Sequence, residues 1–342
     1  MMTQPPSFAV VSGVQVRGVL QGREDIVTHI VESAYRLHGE RQTINPDSYF
    51  LKFPQRPADR IIALPASVSG HVNVHGIKWI SSFPGNIEHG IPRASAITVL
   101  NDPETGFPFA CIEGSIISAA RTAASAALAA LKLSARRGMR PRRAGFVGTG
   151  LIARYIHTYL TRNGFMFDEV GIFDTARDNA ERFCGYLERS RSGPARFHDD
   201  ADSLIRESDL VVFATVAGSP HVTDPGLLAH NPLVLHVSLR DLAPEIILSA
   251  FNVVDDVDHC LKAATSPHLA EQLAGNRDFI AGTLYDVMTD EVEVPADRPV
   301  IFSPFGLGIL DLALARFVYD ELAGQGVLHE IVDFFDELKR YG

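Results

Sequence analysis

A short apolar strand that runs into two glycines and then a helix limits this chain to few folds. Ala144-Gly145-Phe146-Val147 reads as the strand, and Leu151 to Asn163 as the helix. Between them, Gly148-Thr149-Gly150-Leu151-Ile152-Ala153 has the spacing of a phosphate-binding turn. Such a turn needs a first glycine to bend sharply, a second to let a pyrophosphate approach, and a small residue where helix meets strand. The helix N-terminus then faces the phosphates. Val170-Gly171-Ile172-Phe173 is a second strand, and Asp174 stands at its end. A carboxylate there can bond both ribose hydroxyls of NAD, or can serve as a turn or cap residue for a helix starting near Ala176.

The bulk properties narrow the partners. A chain of 342 residues is long enough for two domains with cores of their own. A net charge of −10 argues against nucleic acid or an anionic membrane as partner, so an anionic ligand needs a local cluster of cations. Cys111, Cys184 and Cys260 have neither paired nor metal-ligand spacing, which suits a reducing cytoplasm. No signal-peptide pattern opens the sequence, and Ala119 to Leu133 is Ala-rich, carries Arg121 and reads as too short for a bilayer. The expectation is a soluble cytoplasmic protein.

After Gly148, strand and helix alternate. Asp209–Thr215, Leu233–Leu239 and Asn252–Asp256 are near-continuously apolar, as parallel strands covered on both faces are. The first 120 residues differ. Ile61–Pro65, Gly76–Ile80, Ala96–Leu100 and Phe107–Ile112 are short strand candidates separated by turns, beside an early helix from Arg23 to Gly39. A long helix from about Ser115 to Arg137 joins the halves, and Asp311–Ala323 and Leu328–Leu338 read as helices. The predicted architecture is α/β: a Rossmann-type doubly wound nucleotide domain (122–308) inserted in a split α+β domain (1–121 and 309–342) that serves substrate binding and dimerisation.

Cations are scarce in the first part; from Ile61 to Ala120 only Lys78 and Arg93 occur, and Arg121 follows. Arg121 sits in a helix of small residues, so its planar fork is enclosed and needs an anion. That anion is a substrate carboxylate, or Glu113 or another internal acid. Lys78, between Ile77 and Trp79, is either a second carboxylate ligand or an edge-strand lysine snorkelling to water. Asp241 follows Leu233–Leu239 at the carboxyl end, where open sheets bind ligands. It is either a proton acceptor for a substrate amine or a cap for the helix begun by Pro244-Glu245. Thr215 stands at the equivalent end of its own strand, as a nicotinamide contact or an ordinary loop residue. His71 and His75 alternate with valines on one strand face, without metal-ligand spacing, so no metal is expected.

These residues resemble a known family. Gly76-Ile77-Lys78, Asn101-Asp102-Pro103-Glu104-Thr105-Gly106-Phe107-Pro108, Ser118-Ala119-Ala120-Arg121-Thr122-Ala123-Ala124, Gly148-Thr149-Gly150 and Ser303-Pro304-Phe305-Gly306-Leu307-Gly308-Ile309-Leu310-Asp311 are similar to ornithine cyclodeaminase/μ-crystallin sequences over nearly the whole chain. Asp59–Pro65, Gly76–Ile80 and Arg93-Ala94-Ser95 resemble most the branch that oxidises N-(2-amino-2-carboxyethyl)-L-glutamate to 2,3-diaminopropionate, a precursor of siderophores and antibiotics, and 2-oxoglutarate. The resemblance implies a homodimer, NAD or NADP as cofactor, Lys78 and Arg121 as ligands of the substrate carboxylate, and Asp241 as general base. Asp174 favours NAD, because a 2′-phosphate would meet its carboxylate. The expected cofactor contacts are Thr122, Gly148, Thr149, Gly150, Leu151, Ile152, Asp174, Thr215, Ser238 and Gly306. Arg93 joins the substrate ligands. The family often carries a further cation where this chain has Ser48, and Lys52 is the candidate to replace it. Ornithine cyclodeaminase, ketimine reductase, alanine dehydrogenase and a μ-crystallin-like nucleotide-dependent binding protein are the alternative functions.

Overall fold

The computed structural model describes residues 7–190 and 193–336. The chain divides into two compact units, one of Met1–Arg121 with Leu307–Gly342 and one of Thr122–Gly306. The return to the first unit falls at Leu307, two residues before the boundary at 309 read from the sequence.

The first unit is built on one sheet. Its strands in chain order are β1 (Phe8–Val11), β2 (Thr43–Ile44), β3 (Tyr49–Phe53), β4 (Arg56–Val68), β5 (Val74–Ser82), β6 (Ala94–Asn101) and β7 (Pro108–Glu113). Neighbours from β4 to β7 pair antiparallel, and β1 lies parallel beside β7. The Asn101–Gly106 hairpin is closed by Asp102, whose carboxylate accepts from the Thr105 amide at 2.8 Å. A helix over Gly13–Leu20 precedes the expected early one, which spans Glu24–Gly39. A capping box of Ser12 and Gln15 starts it, a signal the apolar spacing of the segment does not carry.

The second unit is an eight-stranded parallel sheet. Its strands are β8 (Arg143–Val147), β9 (Glu169–Phe173), β10 (Ala195–Phe197), β11 (Leu210–Phe213), β12 (Leu233–His236), β13 (Phe251–Val254), β14 (Ile280–Thr283) and β15 (Val300–Ser303). They lie in the order β10-β9-β8-β11-β12-β15-β13-β14. The order reverses between β8 and β11, the crevice where doubly wound sheets bind ligands. Each of β8, β11, β12 and β15 is almost wholly buried. Val147, Phe213, Val234 and Ile301 meet Leu204, Ile246 and their neighbours in its core.

The chain then re-enters the first unit as a helix over Gly308–Gly324, which packs on β4, β5 and β6 and on the Glu24–Gly39 helix. Leu310, Leu312, Leu314 and Val318 are fully buried there. Next comes β16 (His329–Ile331), antiparallel to β1. A helix was expected over Leu328–Leu338. Gly326 turns the chain at φ +68°, and pairing with the free edge of β1 holds the following residues extended. Leu338 itself lies outside the described residues.

The Ser115–Arg137 helix, begun in one unit and continued in the other, corrects a further expectation. It is long and apolar enough to cross a membrane by length and composition, yet 72% of that window is buried inside the protein. Its alanines form the buried face of a core helix.

Candidate functional site

Two polar centres stand out, one in each unit. In the first, strand alternation turns Lys78 on β5 toward the Gly308–Gly324 helix and leaves Trp79 42% exposed on the other face. β5 lies between β4 and β6, so Lys78 is no edge-strand lysine. Its Nζ donates to Asp311 Oδ2 at 2.6 Å and to Ser118 Oγ at 3.4 Å. Arg121 Nε donates to the other oxygen of Asp311 at 3.3 Å. Lys78 and Asp311 are sealed, whereas the Arg121 side chain keeps 11% of its surface. Burial and the neighbouring Arg121 cation pull the Lys78 ammonium down to about 8, against the opposing pull of Asp311. Two cations share one carboxylate, so the cluster carries one unmatched positive charge. Glu113, weighed as a partner for Arg121, instead accepts from the amides of Ser115 (2.8 Å) and Ile116 (3.1 Å) and starts their helix. Asp311 sits inside the Ser303–Asp311 motif, but an acid 190 residues from Arg121 gives no spacing signal.

Further along the same face lie more cations. Arg60 pairs in register with Ser82, four residues from Lys78 on β5, and Lys52 pairs with Arg60. At strand rise this is about 13 Å from Lys78. Arg93 donates to Ser82 Oγ at 2.8 Å, and its guanidinium is pulled below the ordinary arginine value by burial and by Arg60. His71 and His75 do not share a strand face. His71 lies in the turn before β5 and meets Ser33 Oγ, while His75 on β5 meets Ser67 Oγ.

In the second unit, the turn after β8 has the geometry its sequence implies. Gly148 has φ +83°, and a Cβ there would stand 2.8 Å from the Ala214 carbonyl oxygen, which excludes any larger residue. Around an ideal Cβ on Gly150 there is nothing within 4 Å, so the N-terminus of the Leu151–Arg162 helix is open. No side chain caps it, Leu151 is 56% exposed, and Ala153 is buried where helix meets strand. Asp174 Oδ2 accepts from the amide and hydroxyl of Thr149, both at 2.8 Å, and Oδ1 accepts from the Ala176 amide at 2.9 Å. Asp174 thus fixes the turn and still has lone pairs for a ribose. Open helix amides, a close-approach glycine and this carboxylate fit NAD. Arg177, three residues beyond Asp174 in the sequence, pairs with Glu181 and stacks on Phe197.

Asp241 is the hub of the other side of this crevice. Its carboxylate is wholly buried and accepts from Thr215 Oγ1, from Ser238 Oγ at 2.5 Å and from His221 Nε2 at 3.1 Å, with His236 Nε2 at 3.3 Å. Burial alone would push its carboxyl up. Hydrogen bonds from His221 and the Ser238 hydroxyl outweigh that and hold it far below the usual carboxylate range, while the His236 Nε2 beside it accepts from the Asp241 amide at 3.2 Å. The hydroxyls of Thr215 and Ser238, both expected as cofactor contacts, donate to Asp241. Gly306, another, gives its amide to Asp255 at 2.6 Å, and the Phe305 amide joins it at 2.9 Å. Thr122, expected with them, is the first residue of this unit and half-buried on the Ser115–Arg137 helix.

The sequence pattern of the ornithine cyclodeaminase/mu-crystallin family matches residues 15–326. The chain belongs to that family. It is 28% identical over 277 residues to the N-((2S)-2-amino-2-carboxyethyl)-L-glutamate dehydrogenase of Staphylococcus aureus, covering 79% of this chain and 81% of that protein. It is also 28% identical to the alanine dehydrogenase of Archaeoglobus fulgidus over 91% of this chain and 94% of that one. An archaeal alanine dehydrogenase dimer with bound NAD superposes with a TM-score of 0.84 at 26% identity, over 96% of this chain and all of that one. As a member of the ornithine cyclodeaminase/mu-crystallin family, the chain is an NAD-dependent enzyme of amino-acid and imine chemistry.

With that cofactor, Asp174→Ser should raise the use of NADP relative to NAD by about tenfold or more, because a like-charge clash with the 2′-phosphate disappears. Steady-state kinetics with both cofactors checks this, and an unchanged preference for NAD contradicts the role given to Asp174.

Proposed function

We propose that this enzyme oxidises N-(2-amino-2-carboxyethyl)-L-glutamate with NAD, giving 2,3-diaminopropionate and 2-oxoglutarate for siderophore or antibiotic assembly. The observation that carries this reading is the row of cations on one face of the first unit's sheet. The Lys78–Arg121–Asp311 cluster has one positive charge in excess, enough for one carboxylate. A monocarboxylate such as alanine needs nothing more. Arg60, Arg93 and Lys52, about 13 Å further along the face, suit an elongated substrate with additional carboxylates. The adduct carries three.

Bound NAD supplies the acceptor for a hydride from the glutamyl α-carbon. Lys78 and Arg121 hold a carboxylate and fix that carbon, and the Asp241 centre removes the proton of the secondary amine. Water then adds to the resulting imine, and collapse of the carbinolamine releases the two products. The sum is adduct, NAD and water going to 2-oxoglutarate, 2,3-diaminopropionate, reduced cofactor and a proton. Incubating the protein with NAD and the adduct tests this: stoichiometric reduced cofactor by absorbance and both products by mass spectrometry are expected. Ammonia and proline from ornithine, with no turnover of the adduct, would replace this reading by a cyclodeaminase.

The outer face of the same sheet supports a homodimer. Tyr49, Trp79 and Ile97, 42–70% exposed, fall in one cross-strand row with Ala63. Trp79→Glu should convert the protein to a monomer by light scattering while leaving the circular dichroism of the fold intact.

A further inference from the structure

The buried Asp241 centre poses a question that the reading above leaves open: which atom meets the substrate nitrogen. This step rests on that reading. The Asp241 carboxylate is 0% exposed and saturated by donors from Thr215, Ser238 and His221, so it has neither surface nor basicity to offer. His221 is different. Its side chain is 41% exposed, and among the described residues only its Nε2 is hydrogen-bonded within the protein.

Its backbone is fixed from both sides. The amides of His221 and Val222 both donate to the Asp241 carbonyl at 2.9 Å, and the Ala243 amide donates to the Val222 carbonyl at 2.9 Å. The 221–222 and 241–243 segments, in the loops that follow β11 and β12, are therefore latched together. An imidazole whose Nε2–H is held by a buried carboxylate keeps Nδ1 as its acceptor nitrogen, and a proton taken there is stabilised by the carboxylate behind it.

We propose that His221 is the catalytic residue that exchanges the proton with the substrate nitrogen, and that Asp241 is its positioning residue. In the oxidation, an N–H proton of the protonated amine passes to Nδ1 and its bonding pair stays on nitrogen. The Cα–H pair then leaves as hydride to the oxidised nicotinamide, and the nitrogen lone pair closes the C=N bond.

The test combines kinetics with a readout that needs no turnover. His221→Gln should lower kcat about 10²–10³-fold, with the NAD dissociation constant changed less than about twofold by fluorescence titration. Added imidazole should restore activity to His221→Ala and do nothing for the wild type. In long-range proton–nitrogen NMR of the cofactor-free protein, His221 should be the Nε2–H tautomer, and Asp241→Asn should abolish that preference. An active wild type with an equally active His221→Gln overturns this inference alone, as does an Nδ1–H tautomer. A wild type that oxidises neither the adduct nor alanine overturns both this inference and the function proposed above.

Discussion

Asp311→Ala should destabilise the protein by about 3–5 kcal/mol, the largest single-residue effect expected outside the apolar cores. The reason is electrostatic. Lys78 and Asp311 are at most 2% exposed, Arg121 is close by, and the carboxylate is the only anion they share among the described contacts. Removing it leaves two cations repelling each other in a medium that cannot hydrate them. Denaturant unfolding measures the loss directly. The double variant Lys78→Met/Asp311→Leu should recover much of it, because replacing a whole buried pair by apolar side chains costs far less than breaking it.

Lys78→Met alone should lower kcat/KM for a carboxylate substrate by about 10²–10³-fold, since truncating one partner of a buried charge pair costs about 2–5 kcal/mol. The pH profile gives the same residue a second signature. Lys78 in the folded protein holds its proton only to about pH 8, against its usual 10.5. The carboxylate needs the ammonium, so kcat/KM in the wild type should fall as pH rises through about 8 and the variant should lack that limb. Stability runs the other way. The unfolded chain binds this proton more tightly between pH 8 and 10.5, so Lys78 makes the fold more stable as pH rises across that window. An activity limb that persists in Lys78→Met would assign it to another group.

What was legible in the sequence follows the range of the interactions. The β8 strand, its turn and the helix after it are local, and Gly148, Gly150 and Ala153 each have one steric reason to be where they are. Lys78, Arg121 and Asp241 stood out because a charge among apolar neighbours is conspicuous. Their partners did not. Asp311 lies 233 residues from Lys78 and faces it only when a helix from the far end of the chain lies on β5. His221 sits in a loop between Gly218 and Asp224, where composition shows only a turn, and its bond to Asp241 arises from the pairing of two loop segments that follow β11 and β12. The missed strand β16 has the same origin: a segment with helical spacing was claimed by an unpaired edge. Thr215 and Ser238 were legible as polar residues at strand ends, but the hydroxyl bonds they make to Asp241 were not, because spacing cannot tell which way a hydroxyl turns.

The pairing of Lys78 with Asp311 also sets an order of events at the ribosome. The strands that surround Lys78 emerge early, but its counter-charge is made 233 residues later, a delay of about 10–50 s at ordinary synthesis rates. The whole of Thr122–Gly306, a unit complete in itself, is made in the interval. The inserted unit can therefore fold while the first stays open, and nascent chains ending before Asp311 should show a protected parallel sheet beside a protease-sensitive amino-terminal third.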